Sequence, residues 1–200
     1  MQCENGQFGR PTGWRGALIG RVMAVKNRGL NQAAIATLDP AADDTVLEVG
    51  CGPGTNLVDL AARAHRVIAV DPSGVMVAQA RRRVARSGLT PRVDVLPAVV
   101  EDLPLPDGSL DVAFEVNTFH HWSDAERGLA ELRRTLVPGG RLQLTLRTAP
   151  PRSRPWIAPG HTPEEIDDIA ARVAAAGFEP LPQVTISAGR TAVCLQFRRR

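Results

Sequence analysis

Seven residues, Glu48-Val49-Gly50-Cys51-Gly52-Pro53-Gly54, constrain the fold more than any other stretch of the chain. They close a short apolar run, Thr45 to Gly50, and precede a helical face at Leu57, Leu60 and Ala61. Three glycines at alternate positions let the backbone turn sharply out of a buried strand and let a ligand approach it closely. The helix that follows offers unpaired N–H groups to that ligand. A second apolar run, Arg66 to Asp71, ends in an acid 21 residues beyond Gly50. From that place a carboxylate accepts both hydroxyls of a ribose.

The rest of the chain repeats the alternation, which predicts an α/β fold built on a parallel sheet. Ser73 caps a helix whose apolar side is Met76, Val77, Ala80 and Val84. Strands are predicted at Arg92 to Val100 and Leu110 to Asn117. Ser123 and Glu126 form a capping box for a helix carrying Leu129, Leu132 and Leu136, which Pro138-Gly139-Gly140 stops. A fifth strand runs from Arg141 to Arg147. Thr162, Pro163 and Glu165 open a helix burying Ile166, Ile169 and Val173 and ending at Gly177. Pro182 to Phe197 reads as two strands joined at Ala188-Gly189-Arg190, an antiparallel hairpin. The expectation is a doubly wound, Rossmann-like sheet of seven strands with its last pair antiparallel. It occupies residues 41–200, with a proline-rich lid loop at 148–161. Residues 1–40 form an N-terminal helical segment, helical from about Leu18 to Leu38, that covers the substrate.

Charge discriminates between cofactors for the glycine turn. NAD needs G-x-G-x-x-G, which places the larger Thr55 where a third glycine belongs. Glu48, directly before the turn, repels a pyrophosphate but attracts an ammonium group. S-adenosyl-L-methionine carries an ammonium and a sulfonium and has no phosphate, so it suits the turn better.

These motifs resemble the class I S-adenosylmethionine-dependent methyltransferases. The resemblance rests on VLEVGCGPG, VIAVDPS, EDLPLPDGSLDVAF, VNTFHHW and LRRTLVPGGRL, between Thr45 and Arg147. It implies that Gly50, Cys51 and Gly52 line the methionine and ribose, and that Glu48 faces the methionine amino group. Asp71 holds the ribose hydroxyls, and Pro72 and Met76 border the adenine. The Glu115 backbone carbonyl meets the methionine amino group. Many relatives carry an acid after strand three for the adenine amino group. Here Val99 stands at that position, leaving the backbone N–H of Val100, or Asp102 if the register slips.

In-line methyl transfer needs alignment above all, and a general base only where the acceptor is still protonated. His120 and His121, beside Trp122 at the carboxyl edge of strand four, are candidate bases or substrate ligands. The Glu115 side chain and Asn117 share that edge, and His161 lies in the proline-rich loop. Trp14 and Trp156 are flat surfaces for an acceptor. Arg81, Arg82, Arg83 and Arg86 read as a solvated helix face, and Arg198 to Arg200 as a frayed tail.

Composition narrows the function classes. The chain has 200 residues, 44% apolar, with a formal net charge of +3, which suits one globular domain and is not a nucleic-acid-binding balance. No run approaches the roughly 20 apolar residues of a membrane span, and no secretory signal is present. The cysteines, Cys3, Cys51 and Cys194, are odd in number and scattered, which argues against disulfides and a metal site and for the cytoplasm. Base-amino methyltransferases resemble one another in a D/N-P-P-Y/F motif after strand four, and metal-assisted catechol enzymes in an oxygen-rich cluster there. EVNTFHHW matches neither. The expected enzyme methylates an O, N or C nucleophile on a small organic molecule, with no nucleic acid and no membrane, as a monomer or homodimer. The alternatives are a cyclisation or isomerisation using the same cofactor, or an NAD-binding protein.

Overall fold

A computed structural model describes residues 27–149 and 160–200 of the chain. Helix α1 (27–38) leads into strand β1 (Thr45–Val49). Then follow α2 (Leu57–Ala61), β2 (Arg66–Val70), α3 (Gly74–Arg86), β3 (Val93–Leu96) and β4 (Leu110–Val116). A 3-10 turn (Phe119–His121), α4 (Ala125–Thr135), β5 (Leu136–Arg147), α5 (Pro163–Ala175), β6 (Phe178–Pro180), β7 (Val184–Ser187) and β8 (Thr191–Arg199) complete it.

The sheet order is β3-β2-β1-β4-β5-β8-β6, with β7 also on β8. Strands β3 to β5 are parallel, and β8 runs antiparallel to β5. Strand β6 pairs with the far end of β8 and β7 with its beginning, so the two short strands share one edge position. The eight strands thus fill the seven places expected. The chain winds outward from β1 to β3, then starts again at β4 on the other side. Ligands bind beyond the carboxyl ends of the strands at such a reversal, here between β1 and β4.

Side chains of successive strand residues face opposite sides. Leu47, Val49, Ile68, Val70 and Ala113 pack under α4 and α5 with Leu129, Leu132, Ile166 and Ile169. Val46, Val67, Ala69, Val112 and Phe114 pack on the other face with Leu30, Ile35, Leu57 and Val77 of α1, α2 and α3. Residues 27–38 are therefore built into the core. Carbonyls in the last turns of α1 accept from the sheet: Ala34 O from Gln143, Thr37 O from Gln196 and Leu38 O from Arg141. Of the substrate cover expected at residues 1–40, residues 1–26 lie outside the described residues, as do Trp14 and Trp156 and most of the expected lid loop.

Several boundaries differ from the sequence reading. Strand β3 ends at Leu96, because Pro97 has no N–H to extend the ladder. The N-cap of α4 is Asp124, which accepts from the Arg127 N–H. The Ser123–Glu126 box does not form, because Ser123 gives its N–H and hydroxyl to buried Glu101. Helix α4 ends at Thr135, and Leu136 already belongs to β5. The box Thr162–Glu165 does form. Arg198 and Arg199 lie in β8 rather than in a frayed tail, and an Arg199 guanidinium N–H donates to Leu136 O. Nor is the α3 arginine run only solvated. Arg83 reaches Pro53 O, and Arg81 donates through Nε and Nη2, at 2.9 and 2.7 Å, to Val95 O on the open side of β3.

Candidate functional site

The glycine turn leaves β1 with Gly50 and Cys51 donating to Val70 O at the end of β2. Gly50 has φ +69°, and a Cβ there would stand 2.5 Å from Thr118 Cγ2. The β1 turn and the turn after β4 therefore touch at this glycine. Gly52 also has positive φ, but among the described residues a Cβ on it would meet nothing within 4 Å. It is the open floor of the site, free for a ligand to approach.

Two acids frame this floor. Asp71 accepts from the Gly52 N–H through Oδ2 and from the Ser73 N–H through Oδ1, each at 2.8 Å. Both oxygens are oriented by backbone donors. Glu48 is buried on the α2 face, and its Oε1 accepts from Asn56 Nδ2 at 2.6 Å. That bond explains why Asn56, the N-cap of α2, makes no side-chain cap. Among the described residues Glu48 Oε2 has no partner. Burial, with Asp71 nearby, pushes the Glu48 carboxyl up to about 8. An orphaned buried carboxylate oxygen beside an open glycine floor fits an incoming ammonium group. Buried Cys51 is held well above the usual thiol range, first by desolvation and then by Glu48 and Asp71, so it lines the site as a neutral side chain.

The residues expected to border the adenine are mixed in exposure. Pro72 is exposed and Met76 is buried, with its N–H on Ser73 Oγ. Val99 is 38% exposed, Val100 is turned into the core, and Asp102 is exposed with its N–H on Val99 O.

The β4 edge is built differently. Glu115 is 1% exposed. Its Oε2 accepts from the Thr118 N–H, the Thr118 hydroxyl and the Phe119 N–H, and so caps the 3-10 turn from below. Oε1 has no partner among the described residues, and burial raises the carboxyl to about 7. Asn117, at φ +56°, accepts from the Arg147 N–H and ties the ends of β4 and β5 together. The turn presents His120 and His121, whose ring centroids lie 3.9 Å apart. His161 comes in from beyond β5, 5.8 Å from His120. Desolvation first, then His121, His161 and Arg147, lower His120 to about 4. Desolvation lowers His121 and His161 as well.

Two elements of this site escaped the sequence reading. Glu101 is buried and holds Ser123 and Asp124 at the start of α4. The Arg147 carbonyl holds the His161 N–H, and its charge adds to the lowering of His120 and His161. His161 and Arg147 are far enough apart in sequence that no local pattern links them. Among the described residues no group of three His, Cys, Asp or Glu side chains is placed to hold a metal ion, and no helix is long and apolar enough to cross a membrane.

Residues 47–144 match the methyltransferase domain family. Methyltransferase YdaC of Bacillus subtilis, itself uncharacterized, is 32% identical over 166 residues, 82% of this chain and 87% of that protein. The tRNA U34 carboxymethyltransferase of Cellvibrio japonicus is 41% identical over 103 residues, 51% of this chain and 32% of that protein. Matches to relatives from Streptomyces fradiae and Mycobacterium tuberculosis span 33% and 48% of those proteins, so several relatives are two to three times the matched length. The crystal structure of an S-adenosylmethionine-dependent methyltransferase from Aquifex aeolicus has the same fold, with TM-score 0.76 and 24% identity over 92% of this chain and 98% of that one.

Proposed function

From the premise that this chain belongs to the class I S-adenosylmethionine-dependent methyltransferases, we propose that it methylates an O, N or C nucleophile on a small organic molecule. The observation that carries the reading is the pair of buried acids around the open Gly52 floor, in contact through Gly50 and Thr118 with the turn that bears the histidines. Glu48 meets the cofactor's ammonium group and Asp71 its ribose hydroxyls. The backbone of Gly50, Cys51 and Gly52 and the Glu115 carbonyl line the methionine, while Pro72, Met76, Val99 and Val100 border the adenine. When bound, the cofactor supplies an electrophilic methyl group whose bond pair departs with sulfur.

The chain's own residues do the rest. The turn at 118–121 sets the acceptor in line with the methyl group, and alignment of this kind is worth about 7–11 kcal/mol. His120 is neutral at pH 7 and takes the acceptor's proton as the acceptor's electron pair forms the new bond to carbon, with His121 beside it. Glu115, its carboxylate spent on three donors under the turn, acts through the turn as a positioning residue.

Thermal shift with S-adenosylmethionine, S-adenosylhomocysteine and NAD tests the cofactor. A ligand at 100 times its Kd stabilises by about 2.7 kcal/mol, a Tm rise of roughly 5–10 °C for a chain of this size. A rise with the two adenosyl ligands and none with NAD is expected, followed by label transfer from methyl-tritiated cofactor to small-molecule acceptors. A rise with NAD alone would overturn the reading. Transfer to tRNA and to no small molecule would replace the substrate class.

A further inference from the structure

We infer that a cleft at the amino ends of β4 and β5, at the opposite end of the sheet from the cofactor turn, binds an oxyanion, a phosphate or carboxylate group on a small organic ligand. This site is separate from the methyltransferase reading and does not rest on it.

Four parts of the chain meet at this cleft. The last turn of α4 supplies Arg133 and Arg134, the loop before β4 supplies Asp107 and Gly108, the start of β5 supplies Pro138, and the end of β8 supplies Arg199. Arg199 arrives there because β8 runs antiparallel to β5, so its carboxyl end returns to the amino end of β5. The cleft holds about 470 Å³, within the range of about 300–1,000 Å³ that small ligands occupy, which leaves room for an organic body beside the charged group. Strand β4, seven residues long, separates it by roughly 20 Å from the turn that bears the histidines.

The three guanidiniums differ in what they already hold. Arg134 is fully engaged: it donates to both Glu131 oxygens at 2.8 Å, to Asp107 Oδ1 at 2.6 Å and to the carbonyls of Leu103 and Leu105. It thereby holds Asp107, the acid that lines the cleft. Arg133 makes no hydrogen bond and no ion pair among the described residues. Packing places it instead, since a Cβ on Gly177 would stand 2.6 Å from its Nε. Arg199 donates through Nη1 to Leu136 O, a neutral acceptor. Its Nε is buried without a partner among the described residues, and none of their acids lies within 4 Å of its guanidinium or of that of Arg133. A buried charged donor left without an acceptor is costly. Nε and Nη2 together form the edge of a guanidinium that takes a two-oxygen anion side by side. Nor are these arginines needed to cap α4, because Arg134 O and Thr135 O accept from the N–H groups of Gly108 and Ser109. Two positioned guanidiniums with no acid partner, opening on one cleft, are a seat for an oxyanion.

The test uses the full chain with nitrogen-15 in its arginines. The Nε–H signals are followed by two-dimensional NMR while inorganic phosphate, or separately acetate, is added at constant ionic strength against sodium chloride. Saturable shifts at Arg133 and Arg199 are expected, with none at Arg86, an exposed arginine of α3. A response to phosphate alone identifies a phosphate-bearing ligand, and a response to acetate identifies a carboxylate. Arg133→Gln, at an exposed position where no bond is broken, weakens the response read at Arg199 by roughly tenfold or more. Arg199→Gln weakens the response read at Arg133 in the same way, and Arg86→Gln leaves both unchanged. Saturation with S-adenosylhomocysteine also leaves the response unchanged. Shifts no larger than those with chloride, shifts that do not saturate, or a full response in Arg133→Gln overturn the inference. Displacement of the anion by S-adenosylhomocysteine overturns it too, by placing the anion at the cofactor turn.

Discussion

The two halves of the candidate site, on either side of the β1–β4 reversal, are built from opposite chemistry. The β1–β2 half uses backbone and acid: Gly52, Asp71 and Glu48. The β4–β5 half uses basic side chains: His120, His121, His161 and Arg147. The groups of the first half are fixed by the sheet itself. The second is shaped by loops that meet only in three dimensions. The contrast teaches that one sheet edge can separate charge within a single domain, acid on one side of the reversal and base on the other. At the sheet edge they meet where Gly50 packs against Thr118, whose hydroxyl also lies 3.4 Å from Val49 O.

Breaking that contact has the largest expected effect. Gly50→Ala puts a Cβ at 2.5 Å from Thr118 Cγ2 on a backbone of φ +69°. Strain and overpacking each cost about 1–3 kcal/mol, so denaturant melts should show the variant destabilised by about 2–5 kcal/mol, with both halves impaired. Asp71→Ala separates the halves. It should weaken S-adenosylhomocysteine by about 1–3 kcal/mol by calorimetry, and leave the histidine ring signals of the ligand-free protein in place. A shift of those rings would show the halves to be coupled.

The acid half also has a pH signature. Glu48, raised to about 8, is protonated at pH 7 in the ligand-free protein. Pairing it with an ammonium group requires it to ionise, so a proton is released on binding. Affinity for S-adenosylhomocysteine should rise with pH between 6 and 8, by up to roughly tenfold per unit. Calorimetry in buffers of different ionisation enthalpy should detect the proton, and Glu48→Gln should abolish the dependence. The smallest effect concerns folding. Glu115 is raised to about 7 by burial, so the stability it lends is complete below its unfolded value of 4.5 and is lost as pH rises through about 7. Glu48 acts in the same direction up to about 8. Tm of the ligand-free protein should fall by a few degrees from pH 5 to 8, less steeply in Glu115→Gln.

The acid half was legible in the sequence because each of its signals is local. A strand, alternating glycines and an acid after the next strand announce themselves within 24 residues, from Glu48 to Asp71. The basic half was legible only in pieces. His120, His121 and His161 could be named singly, but their convergence with Arg147 depends on how β5 and the start of α5 are stitched together. Capping shows the same limit. Thr162 forms its box with Glu165, three residues on, whereas Ser123 is taken by Glu101, 22 residues away. Strand β6 is three residues ending in proline, too short for periodicity to reveal, and exists because β8 offers it a partner.

Arg81 has a consequence for how this molecule meets its neighbours. An outermost strand is ordinarily an invitation, a row of unused acceptors onto which a foreign strand zips. Here a guanidinium occupies the Val95 acceptor with two of its donors, in the middle of a strand of only four residues. A newcomer pairing at Val95 would have to evict a charged plug first, so the β3 flank is a guarded border.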